Sequence, residues 1–154
     1  MKNIGKFEIA SGGAMISDPC YERGTWCQGI LDHVKNGEWI AEVVERGDRI
    51  FELHANHISN PNATQNQKSL KRAEFEVGVD SGKAGIFDSK HYRDDNPLSN
   101  ATGIVPYGCV SSSGYGDGSY VCYYHKNEDG EIDGIMIGFD DVSDLVRGEE
   151  KVRW

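Results

Sequence analysis

No stretch of this chain is apolar for long enough to cross a bilayer as a helix. Its opening residues, Met1-Lys2-Asn3-Ile4-Gly5-Lys6, lead into no signal-peptide core. The expectation is a cytoplasmic protein without membrane contact. Basic residues are also scarce: 16 Lys and Arg stand against 25 Asp and Glu, a formal charge of -9. Such a surface repels phosphate backbones, which argues against general nucleic-acid binding and leaves a basic protein surface or a small polar ligand as partner. Charge kept only for solubility is the alternative. The four cysteines, Cys20, Cys27, Cys109 and Cys122, lack zinc-ribbon spacing. In a reducing compartment they stay thiols, and the Asn-x-Thr triplets at Asn62 and Asn100 carry no glycosylation meaning. No repeat is visible, and 154 residues make one domain. At 38% apolar and 27% charged residues, its core should be thin.

Glycine and alternating apolar residues are plentiful. Lys6 to Ala10 and Ala14 to Ser17 read as strands of a hairpin around Ser11-Gly12-Gly13. The stretch Thr25 to Lys35 reads as a helix, capped by Thr25, with Trp26, Ile30 and Val34 at helical spacing and Asn36-Gly37 as its stop. The segments Glu38–Arg46 and Asp48–Asn56 form the clearest hairpin. Within it Phe51, Leu53 and Ala55 predict a buried face, and Glu52, His54 and Asn56 a wet one. Residues 57–71 predict an exposed loop. Arg72–Val79, Gly85–Phe87, Gly108–Ser112, Ser119–Lys126 and Glu131–Phe139 are further strands, the last two turning at Asn127-Glu128-Asp129-Gly130. His91 to Ala101 reads as irregular with a helical turn, and residues 140–154 as a charged tail. The fold class is mainly β (α+β): a twisted antiparallel sheet, open barrel or sandwich of about eight or nine short strands with one or two short helices.

Aspartates beside glycine, proline or serine are the candidates for chemistry. Asp18, Asp80, Asp88 and Asp117 all fall at strand ends, and convergent carboxylates would bind Ca²⁺ or Mg²⁺. Alternatively each caps its own turn by accepting backbone N–H groups. With Tyr21, Ser81, Tyr115 and Tyr120 they form the candidate ligand-binding set. Asn127 to Asp133 resembles a calcium loop but places Met136 where the bidentate Glu belongs. Val79-Asp80-Ser81-Gly82 matches the loop of aspartic proteases, with Met136-Ile137-Gly138 as a supporting segment. A single copy would demand a homodimer, and Lys83 would depress the carboxylate pKa. The Gly114-x-Gly116-x-Gly118 run is followed by the strand formers Tyr120 to Tyr124, where a phosphate-binding loop would open a helix. No histidine or cysteine spacing fixes a nucleophile.

Four separated motifs carry a family resemblance: Ile16-Ser17-Asp18-Pro19-Cys20-Tyr21, the Gly37-x-Trp39 strand entry, Gly78-Val79-Asp80-Ser81-Gly82 running to Asp88, and Gly116-Asp117-Gly118-Ser119-Tyr120. Their order resembles the bacterial and phage proteins grouped as domain of unknown function 4241. The resemblance spans Ser11 to Phe139. It implies a compact intracellular domain with these aspartates and glycines as signature, and it brings no activity and no catalytic residue. Two functions follow as expectations. One is a non-enzymatic binding protein without a cofactor, holding a small polar ligand or a basic protein, and, if phage-borne, sequestering a host signal or blocking a defence protein. The other is a hydrolase using two of the aspartates as metal ligands or as an acid–base pair, with a dimeric aspartic protease behind it.

Overall fold

The computed structural model describes residues 1–25, 28–92, 102–114 and 116–139. Among the described residues eleven strands run β1 Lys2–Ile9, β2 Gly13–Ser17, β3 Gly29–Asp32, β4 Gly37–Arg46, β5 Arg49–His57, β6 Lys71–Val79, β7 Lys83–Asp88, β8 Gly103–Val105, β9 Gly108–Ser112, β10 Gly118–Lys126 and β11 Ile132–Gly138. They form a six-stranded sheet in the order β1-β4-β5-β11-β10-β6 and a five-stranded sheet in the order β3-β2-β7-β9-β8, every pairing antiparallel. The sheets pack face to face as an open sandwich, with β1 against β8 along one side and β3 against β6 along the other. They do not close into a barrel.

Period-2 patterning builds the core. Across the β4–β5 hairpin, Ala41 faces Ala55 and Val43 faces Leu53, all buried, while Trp39 stands opposite His57. The hairpin turns through Gly47–Asp48, with φ +65° at Gly47. Ile135 and Ile137 on β11 and Tyr120 and Cys122 on β10 continue the layer, and Ala14, Ile16, Ala84, Ile86 and Cys109 meet it from the small sheet. Each large aliphatic side chain fully buried here contributes about 1.5–3 kcal/mol. On β6 the expected parity holds, with Val77 and Val79 buried and Glu74 and Glu76 exposed.

Three expectations need correction. Residues Lys6–Ala10 and Ala14–Ser17 do not pair: β1 bonds to β4, while β2 bonds to β3 and β7 in the other sheet. Ser11-Gly12-Gly13 therefore crosses between sheets, because Asp88, far along the chain, takes the backbone N–H groups of Ala10 and Ser11 and the Ser11 hydroxyl. The predicted helix over Thr25–Lys35 is replaced by β3. Leu31 faces the core and Ile30 faces solvent at 54% exposure, a period of two. Gly29 admits the Phe75 ring where any side chain would collide. The Thr25 hydroxyl donates to the Glu22 carbonyl at 2.6 Å, and the Gln28 side-chain oxygen takes the N–H groups of Gly24 and Thr25. Among the described residues the only helical element is a 3₁₀ turn at Gln67–Ser69. Trp26 and Cys27, all of the expected irregular stretch His91 to Ala101 beyond Tyr92, and the expected tail 140–154 lie outside the described residues.

The third correction concerns the outer face of β5. His54 and Asn56 are 1% and 0% exposed, where a wet face was expected. The 58–70 loop is mostly exposed but sets Ala63 and Thr64 against the sheet, over Gly134. There the Thr64 hydroxyl lies 2.7 Å from His54 Nδ1 and accepts from Asn56 Nδ2 at 2.9 Å, while His54 Nε2 meets Glu52 Oε1 at 2.7 Å. The bond to His54 holds the Glu52 carboxyl below its ordinary pKa. Thr64→Val would leave His54 Nδ1 and Asn56 Nδ2 unpaired, at a cost of about 1–3 kcal/mol. Faster amide exchange across 58–70 with slow exchange retained in β4 and β5 is the expected readout.

Candidate functional site

Asp18 sits at the end of β2, fully buried, and its carboxylate is saturated by protein donors. Oδ1 accepts the Cys20 N–H at 2.9 Å and the Ser81 hydroxyl at 2.7 Å. Oδ2 accepts the N–H groups of Asp80 at 2.9 Å and Ser81 at 2.8 Å. Burial alone would push this carboxyl up; the bonds from Asp80, Ser81 and Cys20 more than offset that and hold it below the usual range. Asp18 thus latches the β6–β7 turn to the end of β2, and Ser81 is spent on that latch.

Asp88 works the same way at the other end of the small sheet, where Asp88 pairs with Ala14 and Gly85 pairs with Ser17. Besides Ala10 and Ser11 it accepts the N–H groups of Lys90 at 2.8 Å and His91 at 3.3 Å. Burial raises its pKa, and these donors carry it below the ordinary value. The structure therefore joins the Asp18 carboxylate to the backbone of Asp80 and places Asp117 alongside, since Gly118 pairs with Val79. It puts Asp88 elsewhere. The side chains of Asp80 and Asp117 are exposed. Among the described residues, no group of three or more His, Cys, Asp and Glu side chains is placed to hold a metal ion.

The tyrosines divide in the same manner. Tyr120 is buried edge-on against Phe139, with ring centroids 5.2 Å apart, and its hydroxyl donates to the Gly116 carbonyl at 2.7 Å; burial raises its pKa. The Tyr21 carbonyl accepts the Tyr92 hydroxyl at 2.6 Å. Tyr115 lies outside the described residues. Burial pushes the Cys109 and Cys122 thiols up to about 12, which leaves them protonated at neutral pH and unsuited to nucleophilic work.

Concavity and uncompensated charge occur together at a different place, the side of the sandwich where β3 and β6 are both edge strands. One end of this seam is closed by the bonds Ile132 N–H to His33 O, 2.7 Å, and Lys35 N–H to Ile132 O, 2.9 Å. The other is closed by the Asp18 latch. Between them lies a groove of about 230 Å³. Buried Leu31, Ala73 and Ile132 form its floor, half-buried Phe75 and Tyr124 its walls, and exposed Ile30 its lip. Along this stretch β6 bulges: between the pairs Val121–Glu76 and Tyr123–Arg72 it carries two more residues than β10.

The charges around the groove are unevenly compensated. Arg72 pairs with Glu76 at 3.0 Å, and the Lys126 ammonium lies 6.0 Å from the Tyr124 ring centroid. Asp32 and Glu74 line the groove, exposed, with no ion pair among the described residues. Sequence reasoning missed all four of Ile30, Asp32, Glu74 and Phe75. The available signal was a bulky apolar residue flanked by charge on a short strand, which reads equally well as one helix face.

No family model, no curated protein and no solved structure matches this chain.

Proposed function

We propose that this protein is a non-catalytic binding module that takes a basic protein partner at the groove between β3 and β6. The observation that carries this reading is the division of labour among its carboxylates. Those with the most partners, Asp18 and Asp88, have their oxygens filled by backbone and hydroxyl donors and hold the fold together. Those at the groove, Asp32 and Glu74, are exposed, without an ion pair among the described residues, and next to apolar surface. A general base or metal ligand needs a lone pair free to reach substrate; recognition needs only complementary charge beside a surface that can be desolvated. The motif order resembling domain of unknown function 4241 fits this reading, since its aspartates fall at strand ends and Asp18 and Asp88 there bind backbone N–H groups.

Titration with decalysine at low ionic strength tests the location. Asp32→Asn/Glu74→Gln is expected to weaken binding by roughly twofold to thirtyfold, from two rim charges of about 0.2–1 kcal/mol each. Asp80→Asn/Asp117→Asn, which removes two equally exposed charges at the glycine-rich end, should leave affinity near that of the parent. Equal losses in both variants would mean diffuse attraction to a -9 chain; loss only in the second would place the site at the glycine-rich turns.

A further inference from the structure

Resting on that binding reading, we infer that the partner binds as an added β-strand on the free edge of β3, with apolar and basic side chains alternating. β3 pairs with β2 on one side only, and no hydrogen bond among the described residues engages the other edge of Gly29–Asp32. Unpaired main-chain groups on an edge strand are a template for another chain. The facing edge of β6 is protected in the usual way, by its bulge and by Arg72, Glu74 and Glu76, whereas β3 is regular and carries a single charge, Asp32.

Geometry then dictates the partner's pattern. A strand added beside β3 turns alternate side chains inward, onto Phe75 and Tyr124, which are only half-buried in the free protein. Its other side chains lie beside Ile30 and Asp32, and basic groups there meet Asp32, with Glu74 on the facing rim. The closures at both ends leave room for the four residues of β3, so the interaction is short and weak, of the transient class.

The test uses the full chain labelled with ¹⁵N and the octapeptide Ac-(Val-Lys)₄-NH₂, followed by amide chemical shifts. Shifts confined to Gly29–Asp32 and Arg72–Glu76 are expected, and Ac-(Val-Glu)₄-NH₂ should produce none. Two further peptides carry N-methyl groups on every Val amide or on every Lys amide. In strand addition only one of these two sets faces β3, so one methylated peptide should lose about tenfold or more in affinity and the other should bind like the parent. If both bind like the parent at the groove, strand addition is overturned while the groove remains a binding site. If the parent peptide shifts no groove amide, this inference fails, and the decalysine variants decide separately whether the acidic groove binds at all.

Discussion

Asp18→Asn lowers the melting temperature by about 10 °C at pH 7. Asparagine keeps the shape but turns one acceptor oxygen into an NH₂ group, which then faces either the Asp80 and Ser81 N–H groups or the Cys20 N–H and Ser81 hydroxyl. In either orientation at least one backbone N–H loses its acceptor and the surviving bonds lose a charged one, together about 3–5 kcal/mol, in a chain where 1 kcal/mol moves the midpoint by about 2–4 °C. The pH dependence has a definite sign. Because the folded carboxyl titrates below its ordinary value, its stabilisation is fully present above the unfolded pKa of about 4 and is lost as pH falls through the folded one. The gap between parent and variant should therefore narrow below pH 4. Thermal melts at pH 7 and pH 3 read this out, with Asp80→Asn as an exposed control that moves by no more than about 0.5 kcal/mol. A gap as wide at pH 3 as at pH 7 would mean that Asp18 acts through shape alone.

Gly85→Ala is expected to be comparably damaging for a steric reason. Gly85 lies on β7 between β2 and β9, and a Cβ there would come within 2.5 Å of the Cys109 carbonyl oxygen and 2.6 Å of the Phe87 ring. A side chain can swing away, but the carbonyl belongs to the neighbouring strand and cannot yield without breaking the ladder. Overpacking of this kind costs about 1–3 kcal/mol or more. Phe87→Leu in the same molecule should not restore stability, because the carbonyl contact persists. At Gly29, by contrast, the nearest atoms all belong to the Phe75 ring, so Phe75→Ala should rescue Gly29→Ala. Chemical denaturation of the four variants checks the contrast; rescue at Gly85 by Phe87→Leu would contradict it.

Where a strand has one face in the core and one in water, its alternation was readable in advance. The β4–β5 hairpin, the β10–β11 hairpin and the inward parity of β6 all follow from period-2 patterning and local turns. What stayed hidden depends on distant partners. Ser11-Gly12-Gly13 has the composition of a hairpin turn, and only Asp88 makes it a crossing between sheets. Ile30 and Val34 fit a helix as well as a strand with a following bridge, because a four-residue strand is too short for its period to be counted. His54 and Asn56 look like a wet face because polar residues can be buried under other polar residues, and pattern does not distinguish water from Thr64. The aspartates do fall at strand ends, and two of the motifs do meet. Their lone pairs, however, are directed at backbone N–H groups, an arrangement decided by side-chain direction and not by spacing.

On the proposed function, the acidic groove between β3 and β6, and not the glycine-rich end of the sandwich, meets the partner. Amide chemical-shift mapping of the full chain during decalysine addition tests it most directly. Amides of residues 29–32 and 72–76 are expected to move first while those of 80–82 and 116–118 stay in place. Movement concentrated at 80–82 and 116–118, with the groove unchanged, would contradict it.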